Sequence, residues 1–427
     1  MPRSNDTPRK GRNIIFRLLG PGLVTGAADD DPSGIATYSQ AGAHFGYGLL
    51  WTVFLTTPFM IAIQLVSAQI GRVTGQGIVA NTKQFYPRAI VIGLVGLLVI
   101  ANTINIAADI AAMGEALYLV IGGLKHEHAL IFAATSVLLQ VFVPYHRYAP
   151  ILKGLTLVLF LYVAVVFTVQ IPWGQVLVAT ILPTPSLDYD YLLLVVAVLG
   201  TTISPYLFFW QASQEVEEMS HGRKHRPLKE LHRGRHPELN RIALDTTVGM
   251  VFSNLIAYFI VLTTAATLHA HGVTEIQTAA DAANALRPIA GDFTFLLFAL
   301  GIVGTGLLAI PVLAGSAAYG VAEAFGWPST LEARFPEAIG FYTIILAATA
   351  IGFALGFMPI NPIQLLVWTA VINGIVAVPI MAVMMMIVAN GSVMGRFAAR
   401  PWLKWAGWAA TGFMGLTVIA LLVSLVR

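Results

Sequence analysis

The sequence DDDPSG, residues 29–34, places three consecutive carboxylates beside a proline and a glycine. Apolar sequence flanks it, with FRLLGPGLVTGAA before it and IATYSQAGA after it. Ionisable side chains inside a membrane segment are costly and usually functional, so this stretch needs a compensating partner. Proline removes a backbone donor and glycine tolerates unusual backbone angles. We therefore predict that a membrane helix is interrupted here.

The composition is that of an integral membrane protein. Of the 427 residues, 57% are hydrophobic and 11% are charged, whereas about a quarter of the residues of a soluble domain are charged. A spanning helix needs about 20 apolar residues, and the apolar runs predict an all-α fold with about 11 transmembrane helices. We expect them at residues 17–44, 49–70, 89–121, 128–144, 152–171, 191–213, 242–268, 293–324, 339–357, 362–389 and 405–426.

The basic residues predict the orientation in the membrane. If the N-terminal tail, residues 1–16, is cytosolic, all of the 24 Lys and Arg residues except Lys125, Arg287 and Arg427 fall on the cytosolic side, as the positive-inside rule requires. We therefore expect a multi-pass protein of the plasma (inner) membrane. The net charge is +3, but the charges are distributed unevenly and the basic residues fall in a few loops, so nucleic-acid binding is not indicated.

The longest polar loop, within residues 214–241, contains EVEEMSHGRKHRPLKELHRGRHPELNR with four histidines. Their spacing fits no compact set of metal ligands. We interpret the loop as a solvated cytosolic segment that also retains topology, and the alternative is a regulatory metal site. The chain has no cysteine, which excludes disulfides, thiolate metal ligands and iron–sulfur clusters.

A second interruption is predicted in span six, at Ser204-Pro205-Tyr206. Spans one and six each begin a set of five spans, and the two sets run in opposite directions. We therefore predict a 5+5 inverted repeat formed by residues 17–171 and 191–389. An extracellular loop, 172–190, separates the halves, and a linker with the eleventh helix, 390–427, follows them. Interrupted helices at matching positions indicate a transporter site at mid-membrane.

The interruptions also predict the chemistry of that site. Unwound backbone at membrane depth exposes carbonyl oxygens to a cavity. Together with the Asp31 carboxylate, these carbonyls form a cluster of hard oxygen atoms, which suits a hard cation. A positive ion would offset the cost of burying the carboxylates.

The stretch GPGLVTGAADDDPSGIATYSQAGAHFGYGLLW resembles the first helix of the NRAMP family of divalent-metal transporters. The resemblance extends along most of the chain, through GRVTGQGI, AADIAAMGEAL, GTTISPYLFF, VFSNLIAYFIVLTTAA and LFALGIVGTGL. It implies a LeuT-type fold with helices 1 and 6 broken. It also implies metal binding by the Asp31 side chain, the Thr201 carbonyl and Ser204, with Gly34 lining the site.

The sequence departs from the family at these positions. The family commonly has Asp-Pro-Gly-Asn where this chain has DPSG at 31–34, and Ala-Thr-Val-Met-Pro-His where it has TTISPY at 201–206. Ser204 therefore replaces a soft sulfur ligand by a hydroxyl, and Gly34 removes a side-chain ligand and opens space. Oxygen and water suit Mg²⁺ and Mn²⁺, and Mg²⁺ usually keeps several waters.

These substitutions resemble the NRAMP-related magnesium transporters. Asp29 and Asp30 match no common family residue, and we expect them to hold the waters of the ion or to attract it. The cargo predicted from the sequence is Mg²⁺, with Mn²⁺ as a further possibility.

Proton coupling is predicted to be weak or absent. The family's proton path, as the resemblance implies it, uses a histidine at position 206, acidic residues in span three and arginines in span nine. Here Tyr206 replaces the histidine, Asp109 remains, Ala112 stands at the second acidic position, and span nine has no arginine. A tyrosine titrates near pH ~10 and does not relay protons readily at neutral pH. We expect transport down the electrochemical gradient.

Further polar residues are candidates for the pathway. Asn102, Asn105 and Asp109 share one face of span three. Either they line the route of the ion or they make interhelical hydrogen bonds. The same two interpretations apply to Asn254 in span seven.

Two other functions of the same fold stay open: a proton-coupled Mn²⁺ or Fe²⁺ importer and an organic-solute transporter. A membrane-embedded hydrolase is disfavoured because no paired nucleophile and base is found, and neither a P-loop nor an HExxH motif occurs. We expect no enzyme activity and no resident cofactor. The expected partners are a divalent metal ion and the lipid bilayer, and the expected state is a monomer.

Overall fold

The computed structural model describes residues 20–143, 147, 154, 157–221, 226–230, 237–331, 333, 335–358 and 360–426. The predicted N-terminal tail, the first residues of span one and parts of span five and of the histidine-rich loop lie outside the described residues.

The described chain is all-α. Its main helices are α1 (Pro21–Asp29), α2 (Pro32–Phe45), α3 (Leu50–Thr74), α4 (Ile78–Phe85), α5 (Arg88–Ile121), α6 (Lys125–Phe142), α7 (Phe160–Val165), α8 (Trp173–Ile181), α9 (Tyr189–Thr202), α10 (Pro205–His221), α11 (Pro237–Thr267), α12 (Ala279–Asn284), α13 (Thr294–Phe325), α14 (Ile339–Leu355), α15 (Pro362–Ala389) and α16 (Pro401–Ser424). Short turns of helix occur at Arg287–Ala290 and Gly391–Met394.

Seven helical segments of the described chain are long and apolar enough to cross a membrane. They are Pro32–Thr74, Arg88–Ile121, Tyr189–Met219, Glu238–His271, Arg287–Phe325, Pro362–Ala389 and Pro401–Ser424. The shorter α14 is also apolar. The helix predicted at 362–389 has the observed bounds, and most others differ by a few residues, often because polar end residues extend a helix beyond its apolar run. Span five is a correction, because it was predicted at 152–171 but its helix ends at Val165, and residues 166–171 are not helical.

The predicted extracellular loop, residues 172–190, contains the helix α8. Its sequence, WGQVLVATI, is mostly apolar, and nine residues are too few to cross a bilayer core of about 30 Å at 1.5 Å per residue. This helix was not predicted, because its apolar run is shorter than a membrane span.

The two broken helices run antiparallel to each other. Near the start of α1, Thr25 bonds to Gln211 of α10. At the end of α2, the ring of Phe45 lies 5.3 Å from the ring of Tyr191 at the start of α9. From the N-terminal to the C-terminal end of the first broken helix, its contacts on the second broken helix therefore shift from the C-terminal towards the N-terminal end. This is the relationship that an inverted repeat requires.

Glycines bring the long helices close together. A Cβ on Gly200 of α9 would lie 2.0 Å from the carbonyl oxygen of Ala370 and 2.4 Å from the amide nitrogen of Gly374, both on α15. Small residues at such crossings let helix backbones approach within lipid, where dispersion contacts supply much of the attraction. α11 packs along α1, α2 and α3, whereas α5 packs against α13, α14 and α15.

Candidate metal site

The first break lies at Asp30 and Asp31, between α1 and α2. Asp31 has an extended backbone and caps α2, because its Oδ1 accepts a hydrogen bond from the Gly34 amide at 2.7 Å. Pro32 follows at the first helical position, where its missing N–H is not needed. The DPSG sequence therefore both ends α1 and starts α2, as predicted.

The second break lies at Ile203 and Ser204, between α9 and α10. The Ser204 hydroxyl lies 2.9 Å from the Gly200 carbonyl and 2.8 Å from the Thr201 carbonyl, and it donates to one of them at a time. The serine thus caps the end of α9. Both oxygen atoms that were expected to face a metal, the Thr201 carbonyl and the Ser204 hydroxyl, are close together at this break.

The two breaks meet. The Tyr206 hydroxyl lies 3.2 Å from the Ala28 carbonyl and 3.4 Å from Asp31 Oδ2. Gly34 faces the other break, because a Cβ there would lie 3.0 Å from Thr201 Oγ1. The structure therefore brings Asp31, Gly34, Thr201 and Tyr206 to one place.

The role of Gly34 differs from the expectation. We expected its missing side chain to widen the site, but the Thr201 side chain already stands next to that space. The glycine instead permits the close approach of α2 to the end of α9. An asparagine at residue 34 would have to displace the Thr201 hydroxyl.

Asp29 and Asp30 are held by α11. The Ser253 hydroxyl lies 2.6 Å from Asp29 Oδ2 and 3.2 Å from Asp30 Oδ1. A hydroxyl has one proton, so it donates to one carboxylate at a time. Ser253 was not predicted as a site residue, although it forms a polar pair with Asn254 in the sequence of span seven.

On the opposite side, α5 and α15 contribute amides. Asn105 Nδ2 lies 3.1 Å from Asp31 Oδ2 and 3.2 Å from Asp109 Oδ2. Asn373 of α15 donates to Asn105 Oδ1 at 3.1 Å. Asp109 is thus one hydrogen-bonded residue away from the break, and the link is Asn105, which the shared face of span three had already made a candidate.

Two of the predicted pathway residues lie elsewhere. Asn102 donates to the Leu313 carbonyl at 2.8 Å and joins α5 to α13. Asn254 donates to the Val53 carbonyl at 2.8 Å and to Thr57 Oγ1 at 2.6 Å, which joins α11 to α3. Of the two interpretations given for them, interhelical hydrogen bonding therefore describes both residues.

The centre collects negative charge without a basic partner. The carboxylates of Asp29, Asp30, Asp31 and Asp109 are all 2% exposed or less. Within the described part of the chain, no Lys or Arg forms an ion pair with any of them. Asp29 Oδ1 and Asp109 Oδ1 also lack a hydrogen-bond partner there. Buried carboxylates need a compensating charge or proton, so the centre is suited to a cation.

The donor atoms define the kind of cation. The described residues hold no group of three or more His, Asp or Glu side chains arranged around one metal position. A metal here would instead combine the Asp31 carboxylate with backbone carbonyls, hydroxyls and water, which is a donor set for hard ions. The Met113 sulfur and the Pro32 ring both border the position that a Cβ on Gly306 would take.

A cavity of about 340 Å³ lies towards the C-terminal end of α2. Asp190, Glu275, His44 and Gln40 are among the residues that line it. Gln40 is nine residues beyond Asp31, or roughly 13 Å along a helix. Polar and acidic side chains thus line a space between the helix breaks and the surface at the C-terminal end of α2.

The other side is closed by α1. Asp245 of α11 accepts hydrogen bonds from the amides of Gly20, Gly22 and Leu23, at 3.2, 2.7 and 3.3 Å. A Cβ on Gly26 would lie 2.3 Å from the Gly249 carbonyl oxygen, so the two helix backbones touch. The N-terminal half of the first broken helix is therefore sealed onto α11.

Two antiparallel interrupted helices that meet at a buried polar centre define the class of secondary transporters with a mid-membrane site. The family model of the natural resistance-associated macrophage protein-like proteins, Nramp, matches residues 22–424. The chain therefore belongs to the Nramp family, as its motifs indicated.

Two curated relatives are divalent metal cation transporters named MntH. The divalent metal cation transporter MntH of Klebsiella pneumoniae subsp. pneumoniae is 26% identical, over 99% of this chain and 95% of its own. MntH of Erwinia tasmaniensis is 29% identical over 70% of each chain.

Solved structures show the fold. The Eremococcus coleocola manganese transporter, bound to an aromatic bis-isothiourea compound, has a TM-score of 0.75 at 16% identity and aligns over 97% of this chain and 88% of its own. MhsT in complex with L-phenylalanine has a TM-score of 0.59 at 14% identity, over 94% and 98% of the two chains. The predicted LeuT-type fold is thereby confirmed.

Proposed function

We propose that this chain transports divalent metal cations across the membrane, with Mg²⁺ as the principal cargo and Mn²⁺ as a further one. The observation that carries this proposal is the meeting of both helix breaks at Asp31, next to Tyr206 and Asn105. Four buried carboxylates without a Lys or Arg partner in the described chain add the charge that a divalent ion would neutralise.

The preference for Mg²⁺ rests on the donor atoms. Ser204 provides a hydroxyl oxygen at the position where Nramp proteins, by the resemblance described above, commonly have a methionine sulfur. Hard oxygen donors and retained waters are what Mg²⁺ selects, whereas a thioether favours softer metals. In this proposal Asp31 and the carbonyls of the breaks bind the ion, and Asp29 and Asp30 hold its waters or attract it.

The membrane potential supplies the driving force. With the N-terminus in the cytosol, the acidic cavity near Asp190 and Glu275 opens to the outside and collects cations. A negative interior then draws each charge inward by about 2.3 kcal/mol per 100 mV. Because Tyr206 stands where the resembled family has a histidine, uptake proceeds without a fixed proton stoichiometry.

The test is Mg²⁺ uptake into liposomes by wild type and Asp31→Asn. Asparagine keeps an oxygen that can cap α2 but removes the charge, so we expect flux to fall at least ~10-fold while the protein stays folded. Asp292→Asn, which changes an exposed carboxylate in the loop before α13, is the matched control and should transport normally. Undiminished flux in Asp31→Asn would refute the assignment of the site.

A proton-coupled Mn²⁺ or Fe²⁺ importer is the second candidate, favoured by the Met113 sulfur close to Pro32. Competition between Mg²⁺ and Mn²⁺ in the same liposomes, with a pH dye inside, separates the two functions. Metal-dependent acidification at a constant ratio of protons to metal would establish the importer and overturn the uncoupled mechanism.

An organic-solute transporter is the third candidate, because the fold alone also occurs in MhsT with L-phenylalanine bound. The buried carboxylates at the first break oppose an anionic carboxylate ligand there, for which a helix N-terminus free of acidic residues would be expected. Amino-acid uptake that competes with Mg²⁺ would support this candidate.

A further inference from the structure

A groove of about 640 Å³ lies where α4 turns into α5 beside the end of α13, and none of its lining residues belongs to the helix breaks. It is larger than the acidic cavity described above. Its lining divides into a polar mouth and an apolar wall. The polar mouth suits the head group of a phospholipid and the apolar wall suits its acyl chains.

The apolar wall follows α5. Val91, Val95 and Val99 recur every four residues, and Ile92 and Gly96 form a second row beside them. At 1.5 Å per residue the wall runs roughly 12 Å along the helix. One leaflet supplies about half of a hydrocarbon core that is ~30 Å thick, so the groove has nearly the depth of one leaflet.

Gly96 leaves open space in the wall of the groove. No heavy atom lies within 4 Å of the position that its Cβ would occupy. In a membrane such a recess is filled by lipid chains, because an empty gap forfeits dispersion contacts on all its walls. The recess is therefore shaped to receive an acyl chain.

The mouth of the groove is basic. Lys83 and Arg88 are exposed, and Tyr86 lies between them in the sequence. Lys83 Nζ donates to the Ala324 carbonyl at the end of α13 at 2.8 Å, and an ammonium has two further protons to donate. Tyrosine is enriched at the level of the lipid head groups.

No acidic residue is among the described residues that line the groove. The neighbouring Glu323 does not line the groove, and its Oε2 accepts a hydrogen bond from the Ala80 amide at 3.0 Å. The positive charge at the mouth is thus available to an anion. With the orientation inferred from the basic loops, this mouth faces the cytosolic leaflet, which is rich in anionic lipid.

We propose that the groove binds one anionic phospholipid of the cytosolic leaflet. Its phosphate contacts Lys83 and Arg88, and one acyl chain lies along Val91, Val95 and Val99. An arginine fork matches phosphate oxygens, and basic pockets between transmembrane helices bind anionic head groups. The bound lipid connects the α4–α5 turn to the end of α13, whichever ion the protein transports.

The experiment measures lipid binding by the full-length protein, delipidated in neutral detergent. Phosphatidylglycerol and phosphatidylcholine of equal chain length are titrated, with native mass spectrometry to count bound lipids and thermal unfolding to detect stabilisation. Wild type should retain one phosphatidylglycerol in preference to phosphatidylcholine. Glycerol phosphate, which has the charge without the chains, should give no stabilisation.

Two pairs of variants test the two ends of the groove. Lys83→Gln with Arg88→Gln should weaken phosphatidylglycerol binding about 30-fold, whereas Arg400→Gln, an exposed arginine outside the groove, should not. Gly96→Leu fills the recess and should weaken binding of both lipids. Gly93→Leu is its control, since a Cβ there also meets no atom within 4 Å and residue 93 does not line the groove.

Equal binding of the two lipids by wild type would overturn the proposal. So would undiminished phosphatidylglycerol binding in both the charge variant and Gly96→Leu. Stabilisation by glycerol phosphate alone would identify a simple anion site instead of a lipid site. Because no metal flux enters these measurements, their outcome is independent of the test of Asp31.

Discussion

The hydroxyl of Tyr206 lies 3.4 Å from Asp31 Oδ2 and 3.2 Å from the carbonyl oxygen of Ala28. One phenol near the start of α10 therefore reaches both edges of the break between α1 and α2. At neutral pH a phenol keeps its single proton, so it donates to the Ala28 carbonyl or to the Asp31 carboxylate, one at a time, without exchanging the proton readily. It orients Asp31 at the point where the two broken helices meet.

We expect Tyr206→Phe to keep most of the transport activity. The substitution removes one neutral donor, which contributes about 1 kcal/mol, so the half-saturating Mg²⁺ concentration should rise by no more than about fivefold. The pH dependence of flux between pH 6 and 8 should equal that of wild type, because no proton passes through the phenol. A variant in which the pH dependence disappears would show that the hydroxyl relays protons.

Gly34 and Thr201 form a coupled pair, which predicts a non-additive response to substitution. Gly34→Asn alone should lower the stability by about 1–3 kcal/mol, because its Cβ would approach Thr201 Oγ1 to 3.0 Å. Adding Thr201→Ala frees that space and should restore most of the loss. Thermal unfolding of the two single variants and the double variant in detergent measures the coupling.

Substitutions at Gly34 and Thr201 also test whether the softness of the ligands sets the preference between Mg²⁺ and Mn²⁺. When Gly34→Asn and Thr201→Ala are combined with Ser204→Met, an amide and a sulfur face the break, and the preference in competitive uptake should shift from Mg²⁺ towards Mn²⁺. Thr201→Ala alone is the control and should leave the preference unchanged. An unchanged preference in the triple variant would contradict the argument from ligand softness.

The hydrogen bonds of Asn105 to Asp31 and Asp109 lead us to expect that Mg²⁺ binding and protein stability are linked. In Asn105→Ala, Asp31 and Asp109 lose the amide that they share, and the apparent stability should fall by about 1–3 kcal/mol. Added Mg²⁺ should recover more stability than it gives wild type, because the ion neutralises the carboxylates that the amide had separated.

Asn102→Ala is the matched control for this measurement. It removes a buried amide from the same helix, but that amide bonds to the Leu313 carbonyl and to Ser316 and does not reach the breaks. Its loss of stability should be of similar size, and Mg²⁺ should not reverse it. If Mg²⁺ restored both variants equally, the ion would be acting elsewhere in the protein.

The fold could be predicted from the sequence because its determinants are local. Long apolar runs give the spans, and Pro32 and Pro205 begin the second halves of the two broken helices. Each of these signals acts within a few residues and does not depend on distant packing. The short helix α8 was not predicted from the sequence, because nine residues are too few for a membrane span and the segment was assigned to a loop.

The details of the site could be predicted only in part. Asp31 follows from its capping motif, but the partners Ser253 and Asn373 come from helices more than 200 residues away. Serine and asparagine are common at interhelical contacts, so their sequence positions alone do not separate a site residue from a structural one. For the same reason Asn254, which bonds to α3, resembled a site residue in the sequence.

The hydrogen bonds of Asp245 to the start of α1 lead us to expect that this residue holds the α1 side of the protein closed. Its carboxylate accepts three amide hydrogen bonds at the start of α1, so Asp245→Ala should release this half-helix from α11. Because the chain has no cysteine, a single Thr25→Cys gives a clean reporter at a fully buried position. Losing about 1.4 kcal/mol of stabilisation corresponds to about a tenfold larger open population, so a thiol reagent should label the cysteine about ten times faster.

Asp281→Ala, which removes the N3 carboxylate of the capping box of α12, controls for general loosening and should leave labelling unchanged. Mg²⁺ in excess should slow the labelling of Thr25→Cys if the ion stabilises the closed state. Equal labelling rates with and without Asp245 would show that the close contact of Gly26 with Gly249 holds α1 in place on its own. In that case the capping bonds would contribute little to closure, and Gly249 would be the position at which a larger side chain forces the helices apart.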